Sequence, residues 1–206
     1  MARILSSDDK RKIEEKIAEV ETLGDVEIVV AEVERSDAYL LWRGLGSGLL
    51  TLSAVLTIHY GCPLVSADWL IALQLPLLAL SWFLCGLPPL LRLLAPDALE
   101  QAAVHRQAKL AFLDNNIAET KNRVGVLLLI SALEKRVEIL ADRGIHEKVQ
   151  TEGWQQHVKT IVQAIHEKRA AEGICKVIHA LATQVGEVLP LQTDDENELA
   201  NKVVSH

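Results

Sequence analysis

Residues 123–145 read RVGVLLLISALEKRVEILADRGI, and they decide the fold. Val124–Ile130 is a continuous apolar run of strand length, the pattern of a strand buried on both faces. Arg136–Ala141 alternates, with Val137, Ile139 and Ala141 on one side, and reads as a second strand. Only Ser131–Lys135 separates the two. A parallel crossover needs about a dozen residues, so these strands form an antiparallel hairpin.

The pattern extends outward on both sides. Val26–Val33 alternates, with Val26, Ile28 and Val30 on one face, and predicts another strand. Asp8–Leu23 predicts a helix. Ser6 or Ser7 caps it, Asp8 and Asp9 favour its first turn, Ile13, Ile17 and Val20 form its apolar face, and Gly24 ends it. A second helix is expected from Asp97, in capping-box spacing with Glu100, to about Ile117. Trp154, Val158, Ile161 and Ile165 mark a third. Ile174, Ile178, Leu181, Val185 and Val188 mark a fourth, stopped by Pro190. The predicted class is α/β, a sandwich with a mixed sheet.

The charges divide the chain. Its 206 residues include 21 Lys and Arg and 28 Asp and Glu, yet Asp68 is the one charged residue between Gly44 and Leu91. The 50% hydrophobic content therefore averages a soluble portion and a block that water rejects. That excludes an ordinary cytosolic enzyme, a disordered chain and a transporter of many spans. Leu40–Tyr60 and Trp69–Leu91 are long enough, at about 1.5 Å per residue, to cross a hydrocarbon core of about 30 Å. Both are apolar all round, whereas a core helix needs one apolar face. Tyr39, Trp42, Tyr60 and Trp69 fall at the expected interfaces, and Arg43 is close enough to one end to snorkel. Gly44, Gly46 and Gly48 have the spacing that lets helices approach closely, and a homo-oligomer built through that face is one reading.

The loop Gly61–Asp68 has no Lys or Arg, while the flanks hold Arg35, Arg43, Arg92, Arg106 and Lys109. The positive-inside rule then puts both termini on the cytoplasmic side, where the flanks fold together. The expected organisation is residues 1–39 and 96–190 as two parts of one domain, 40–95 as a two-helix transmembrane hairpin, and 191–206 as an acidic flexible tail. In this topology the Ser131–Lys135 turn lies nearer the bilayer. Asn122, Arg123 and Asp142 gather at the distal end of the sheet, and Asp25 joins them if the first and second strands are neighbours.

The net charge of −7 argues against a nucleic-acid partner. Cys62, Cys85 and Cys175 form neither a CxxC pair nor a disulfide framework. Met1–Lys12 lacks the apolar core of a signal peptide. The sequence contains no Walker loop, no GxGxxG after a strand, no GxSxG elbow and no zinc spacing.

Taken together, helix, strand, helix, then Arg123–Ile130, a short turn, Arg136–Ile145 and two closing helices resemble the TPM domain family. The resemblance covers about residues 4–35 and 98–190 and is best between Glu119 and Val149. That family includes the thylakoid-lumen acid phosphatase and photosystem II repair proteins of plants, and many membrane-anchored bacterial members. The apolar hairpin after the first strand resembles the bacterial branch. The resemblance implies a TPM-like α/β sandwich, a bacterial inner membrane, and calcium-assisted phosphatase chemistry. Two motifs depart from the family. Its Asp-Asn-Gly stands here as Arg123-Val124-Gly125, and its Gly-Tyr-Gly-Leu-Glu as Asp142-Arg143-Gly144-Ile145-His146.

Two readings of the distal end stay open. The carboxylates of Asp25, Glu119 and Asp142 can hold a hard cation such as calcium, with Asp142, Glu119 and Arg123 as catalytic candidates. Alternatively, Arg123 pairs with Asp142 and ties the ends of the β-hairpin. Thr120, Lys121 and Arg123 are candidates for phosphate contact, and His146 for a general acid. Ser131, Glu134 and Arg136 are candidates for contact with lipid headgroups or a partner. The expected function is a membrane-anchored, cytoplasm-facing binding or assembly module. Its partners would be the lipid bilayer and another protein or a second copy. The alternative is a calcium-assisted phosphatase or related hydrolase.

Overall fold

Apolar side chains on both faces make β2, Gly125–Ser131, the centre of the sheet, and Val126–Ile130 are 0% exposed. The computed structural model describes residues 4–62, 64–120, 122–146, 153–189 and 202–205. The chain divides into two compact units, one of Met1–Ser36 with Gln101–His206 and one of Asp37–Glu100.

In the first unit, β1 (Glu27–Val33) runs parallel to β2 with Glu27 opposite Gly125 and Val33 opposite Ser131. β3 (Arg136–Ala141) runs antiparallel to β2, as the short turn requires. Three helices cover one face: α1 (Ser7–Val20), α7 (Trp154–His166) and α8 (Ala170–Gly186). There Ile13, Ile17, Ile161, Ile174, Ile178 and Leu181 bury against Ile28, Val30, Val126, Leu128 and Ile130. The other face meets α5 (Asp97–Asp114), whose Val104, Ala108 and Ala111 pack on Val29, Ala31, Leu127 and Leu129. The unit is thus a mixed sheet between helical layers. A four-residue helix, α6 (Arg143–His146), follows β3.

Helix ends follow local chemistry. Ser6 and Asp9 form a reciprocal capping box at α1: Ser6 Oγ accepts from Asp9 N at 3.2 Å, and Asp9 Oδ2 accepts from Ser6 N at 3.0 Å. The last turn of the expected helix becomes a 3-10 turn, Glu21–Leu23. The Ser6 hydroxyl, donating to Asp9 Oδ2 at 2.7 Å, and after it the Ser6 backbone N–H hold the Asp9 carboxyl below its ordinary value. A depressed acid stabilises the fold above its unfolded pKa, and that contribution is lost as pH falls through the folded value. Ser6→Ala should therefore cost about 1 kcal/mol at neutral pH. The gap between wild type and variant should narrow as pH falls below the ordinary aspartate value of about 3.9. Chemical denaturation at a series of pH values reads both. α5 stops at Asp114 rather than near Ile117, because Asn115 Nδ2 donates to Ala111 O and Asn116 turns left-handed (φ 54°) before a 3-10 turn, Ile117–Glu119.

A short fourth strand lies within the expected tail. Residues 191–206 were expected to be a flexible acidic segment, and 190–201 lie outside the described residues. β4 (Val204–Ser205) nevertheless pairs parallel with β1, giving the order β3-β2-β1-β4. Val203 N donates to Glu14 Oε1 on α1 at 3.0 Å. A two-residue strand carries no periodicity, so the sequence pattern could not reveal it.

The second unit contains α2 (Leu40–Gly61), α3 (Ala67–Cys85) and α4 (Pro88–Leu94). α2 and α3 are long and apolar enough to cross a membrane by length and composition, and 11% of each one's most apolar window is buried. The second apolar segment was expected to run unbroken to Leu91. It breaks at Gly86–Leu87 because Pro88 and Pro89 have no N–H to continue the ladder, and Leu87 takes the extended conformation favoured before proline. The glycines do not form one free face. An added Cβ on Gly46 would lie 2.6 Å from Leu94 Cδ1, whereas Gly48 faces open space. Gly46 serves packing within this unit. Arg43 Nε donates to Trp82 O at 3.0 Å, and its guanidinium lies 4.5 Å from the centre of the Trp82 ring.

Candidate functional site

Parallel pairing of β1 with β2, and antiparallel pairing of β2 with β3, bring three chain segments to one end of the sheet. These are Asp25 before β1, the 120–124 loop before β2, and Asp142 after β3. The loop is a tight turn in which Arg123 N donates to Thr120 O at 3.1 Å and Val124 N donates to Thr120 Oγ1 at 3.2 Å. Arg123 is left-handed (φ 57°), a conformation that is unfavourable by about 1 kcal/mol for a side chain with a Cβ.

The carboxylates at this end are engaged. Asp25 Oδ2 accepts from Asn122 Nδ2 at 2.7 Å. Asp142 Oδ1 accepts from the Arg143 backbone N–H at 2.6 Å. Asp142 Oδ2 lies 3.8 Å from Arg123 Nη1, and that oxygen is buried without a hydrogen bond. Asp142 N donates to Gly125 O at 2.8 Å, and Gly144 N to Arg123 O at 3.0 Å. Gly144 must be glycine for this closure, because an added Cβ would meet the carbonyl oxygens of Asn122 and Arg123, the latter at 2.7 Å. The Arg123–Asp142 pair expected to tie the hairpin ends is present. It is long, and the Arg123 side chain is 60% exposed. Backbone bonds around Gly125 and Gly144 do more of the tying.

The described residues do not assemble the candidate cation site. Asp25 and Asp142 are buried, and Glu119 is exposed on the 3-10 turn. Among the described residues, no three His, Cys, Asp or Glu side chains are placed to hold a metal ion. Calcium needs about six oxygens around one point, and these residues do not supply them. Thr120 is also unavailable to phosphate, because it is buried and its hydroxyl bonds within the loop, donating to Ile117 O at 3.4 Å. Lys121 lies outside the described residues. His146 is exposed at the end of α6. Asn122, which anchors Asp25, was not among the sequence candidates; a polar residue in a polar loop carries no distinguishing signal.

At the opposite end of the sheet, two of three candidates are sealed inside the domain and Arg136 is half-buried. Ser131, Glu134 and Arg136 were candidates for lipid or partner contact. Ser131 and Glu134 are sealed at 0% and 2% exposure. Ser36 N donates to Glu134 Oε1 at 3.0 Å, Ser36 Oγ donates to Ser131 Oγ at 2.8 Å, and Ser131 Oγ donates to Glu134 Oε2. The network closes the exit of β1 against the β2–β3 turn.

Comparison with known proteins places this fold. Residues 92–184 match the family model of the TPM domain. The chain carries a TPM domain. The matched span takes in α5, the β2–β3 hairpin, α7 and most of α8, and therefore the end of the sheet with Arg123 and Asp142. The solution structure of the BA42 protein from the psychrophilic bacterium Bizionia argentinensis is similar, with a TM-score of 0.63 at 16% identity. The match covers 100% of this chain and 98% of that one. At that identity the likeness concerns the fold. No curated protein matches the chain.

Proposed function

We propose that the chain is a membrane-anchored TPM-domain protein whose first unit faces the cytoplasm and works as a binding or assembly module. The observation that carries this reading is a TPM domain joined to two helices of spanning length whose apolar windows are 11% buried. A core helix of a soluble protein hides most of its apolar surface, and these expose theirs. Tyr60 and Trp69 at one end of the pair, and Trp42 and Trp82 at the other, suit the two interfaces of a bilayer. The absence of Lys and Arg from the Gly61–Asp68 loop supports cytoplasmic termini. The engagement of Asp25 and Asp142 in bonds that hold the loops supports a binding role over hydrolysis.

Cys62 makes the topology testable, since it is exposed in the loop between the two helices. In intact cells an impermeant maleimide should label Cys62, and should label Glu15→Cys only after lysis. Cys175 is half-buried, and burial pushes its thiol up, so it reacts slowly at neutral pH. Extraction of the chain by alkaline carbonate, or labelling of Glu15→Cys from outside, would remove the proposed topology. Crosslinking in gently solubilised membranes that yielded neither a partner nor a self-associated species would remove the module.

One observation favours hydrolysis instead: the buried Asp142 Oδ2, without a hydrogen bond, beside the Arg123 guanidinium. Phosphomonoester hydrolysis by the full chain, with and without calcium, tests it against Asp142→Asn. The expected result is no turnover above the variant. Calcium-dependent turnover that the variant loses would replace the module with a phosphatase.

A further inference from the structure

From the surface of α4 we infer that this short helix is a lipid-contacting element, seated in the interfacial layer of the same bilayer that α2 and α3 cross. The inference rests on the anchoring reading above. α4 has seven residues and a length of about 11 Å, too short to span. It docks by one side, with Leu91 buried and Leu94 seated on Gly46. At 100° per residue, Pro89 and Leu93 face away from that side, and Leu90 lies on its flank beside Leu94. Arg92 shares the away-facing side, half-buried, with a side chain long enough to snorkel to the headgroups. Leu90 is 36% exposed and Leu93 80% exposed, and Leu87 just before the helix is 37% exposed.

The docking contact also sets the depth. Gly46 lies six residues into α2, about 9 Å from its start. About one turn nearer that start is Arg43, stacked on Trp82 in the last turn of α3. Paired tryptophan and arginine of this kind suit the boundary between headgroups and acyl chains. A helix packed within a turn of that level, with Pro89 and Leu93 facing away from its neighbours and Arg92 beside them, buries those apolar side chains in the outer part of the hydrocarbon layer while the arginine reaches the headgroups. Continuity with the two spanning helices selects lipid as the occupant: α3 ends at Cys85, and Gly86–Leu87 are the connection.

The test places an environment-sensitive nitrobenzoxadiazole label at single cysteines in the full chain. The background is Cys62→Ser, Cys85→Ala and Cys175→Ala, reconstituted in phosphatidylcholine–phosphatidylglycerol vesicles. Leu93→Cys should emit to the blue of Glu15→Cys, and a nitroxide near the glycerol backbone should quench it more than one near the acyl-chain end. Leu78→Cys, midway along α3, should show the reverse order of quenching. Emission from position 93 that is red and quenched by aqueous iodide, with position 78 still in lipid, overturns the inference alone. Blue emission at 93 that no nitroxide lipid quenches means that protein covers that position, and also overturns it. If position 78 is itself aqueous, the anchoring reading falls first.

Discussion

Replacing Glu32 with alanine should destabilise the first unit by about 3–5 kcal/mol, the range for breaking a buried ion pair from one side. Glu32 stands in β1 and is 3% exposed. Its Oε1 accepts from the backbone N–H groups of Ile4 at 2.7 Å and Leu5 at 3.1 Å. Its Oε2 lies 3.1 Å from Lys10 Nζ, an ammonium that is itself mostly buried. One carboxylate thus pins the segment before α1, and the first turn of α1, to the sheet. Truncation leaves two backbone donors without their acceptor and takes a carboxylate from beside Lys10, and each unsatisfied donor carries its own desolvation penalty. Single substitutions rarely exceed about 3 kcal/mol, so this one would consume a large part of a typical domain stability of about 5–15 kcal/mol. Denaturant unfolding of the full chain in detergent measures it. Glu32→Gln should lose less, because an amide oxygen still accepts from Ile4 and Leu5. The double variant Glu32→Leu/Lys10→Met should recover much of the loss, since an apolar pair of similar size is often neutral. A loss below about 1 kcal/mol for Glu32→Ala would show that the pair is not a structural anchor.

The second large effect is expected at Gly125, where β2 begins. A Cβ there would meet Ile117 Cγ2 and sit 2.8 Å from the Ile117 carbonyl oxygen. Ile117 is fully buried, and its carbonyl also accepts from Thr120 Oγ1. Neither group can swing aside as the end of a flexible side chain would. Gly125→Val should cost about 2–3 kcal/mol through overpacking, and Gly125→Ala somewhat less. Ile117→Ala in the same chain should relieve the side-chain clash and leave the carbonyl clash, so rescue should be partial. Full rescue would refute the backbone contact. Because Asp142 N donates to Gly125 O, the same displacement should shift the Asp142 and Gly144 amide resonances.

Much of the fold is legible locally. The apolar run before Ser131, the alternation after Lys135 and the short turn between them require an antiparallel hairpin, and the structure has it. The alternation of Val26, Ile28 and Val30 marks the face that packs on α1 and α8. Of the two serines expected to cap the first helix, Ser6 does so, in a reciprocal bond with Asp9. The break after Cys85 was also local, written in Gly86 and Pro88-Pro89. The expectation of one long apolar helix weighed hydrophobicity above that backbone chemistry.

The candidate site is less legible. The topology correctly gathers Asp25, Arg123 and Asp142 at one end of the sheet, but shared location is not coordination. Asn122 takes Asp25, the Arg143 amide takes one oxygen of Asp142, and Glu119 remains exposed on its 3-10 turn. Ser131 and Glu134, polar residues in a turn, read as surface and are sealed by Ser36.

By itself the sequence determined the kinds of element, the antiparallel hairpin and the uncharged block, because periodicity, chain reach and composition act over a few residues. Tertiary structure decided what each element meets. It set β1 beside β2, laid Val204–Ser205 along β1, and turned Glu32 from an acid in a strand into an anchor for the segment before α1. It joined Asn122 to Asp25 across 97 positions of sequence. Such pairings are selected by packing and by the desolvation of polar groups in the assembled fold, and no local pattern encodes either.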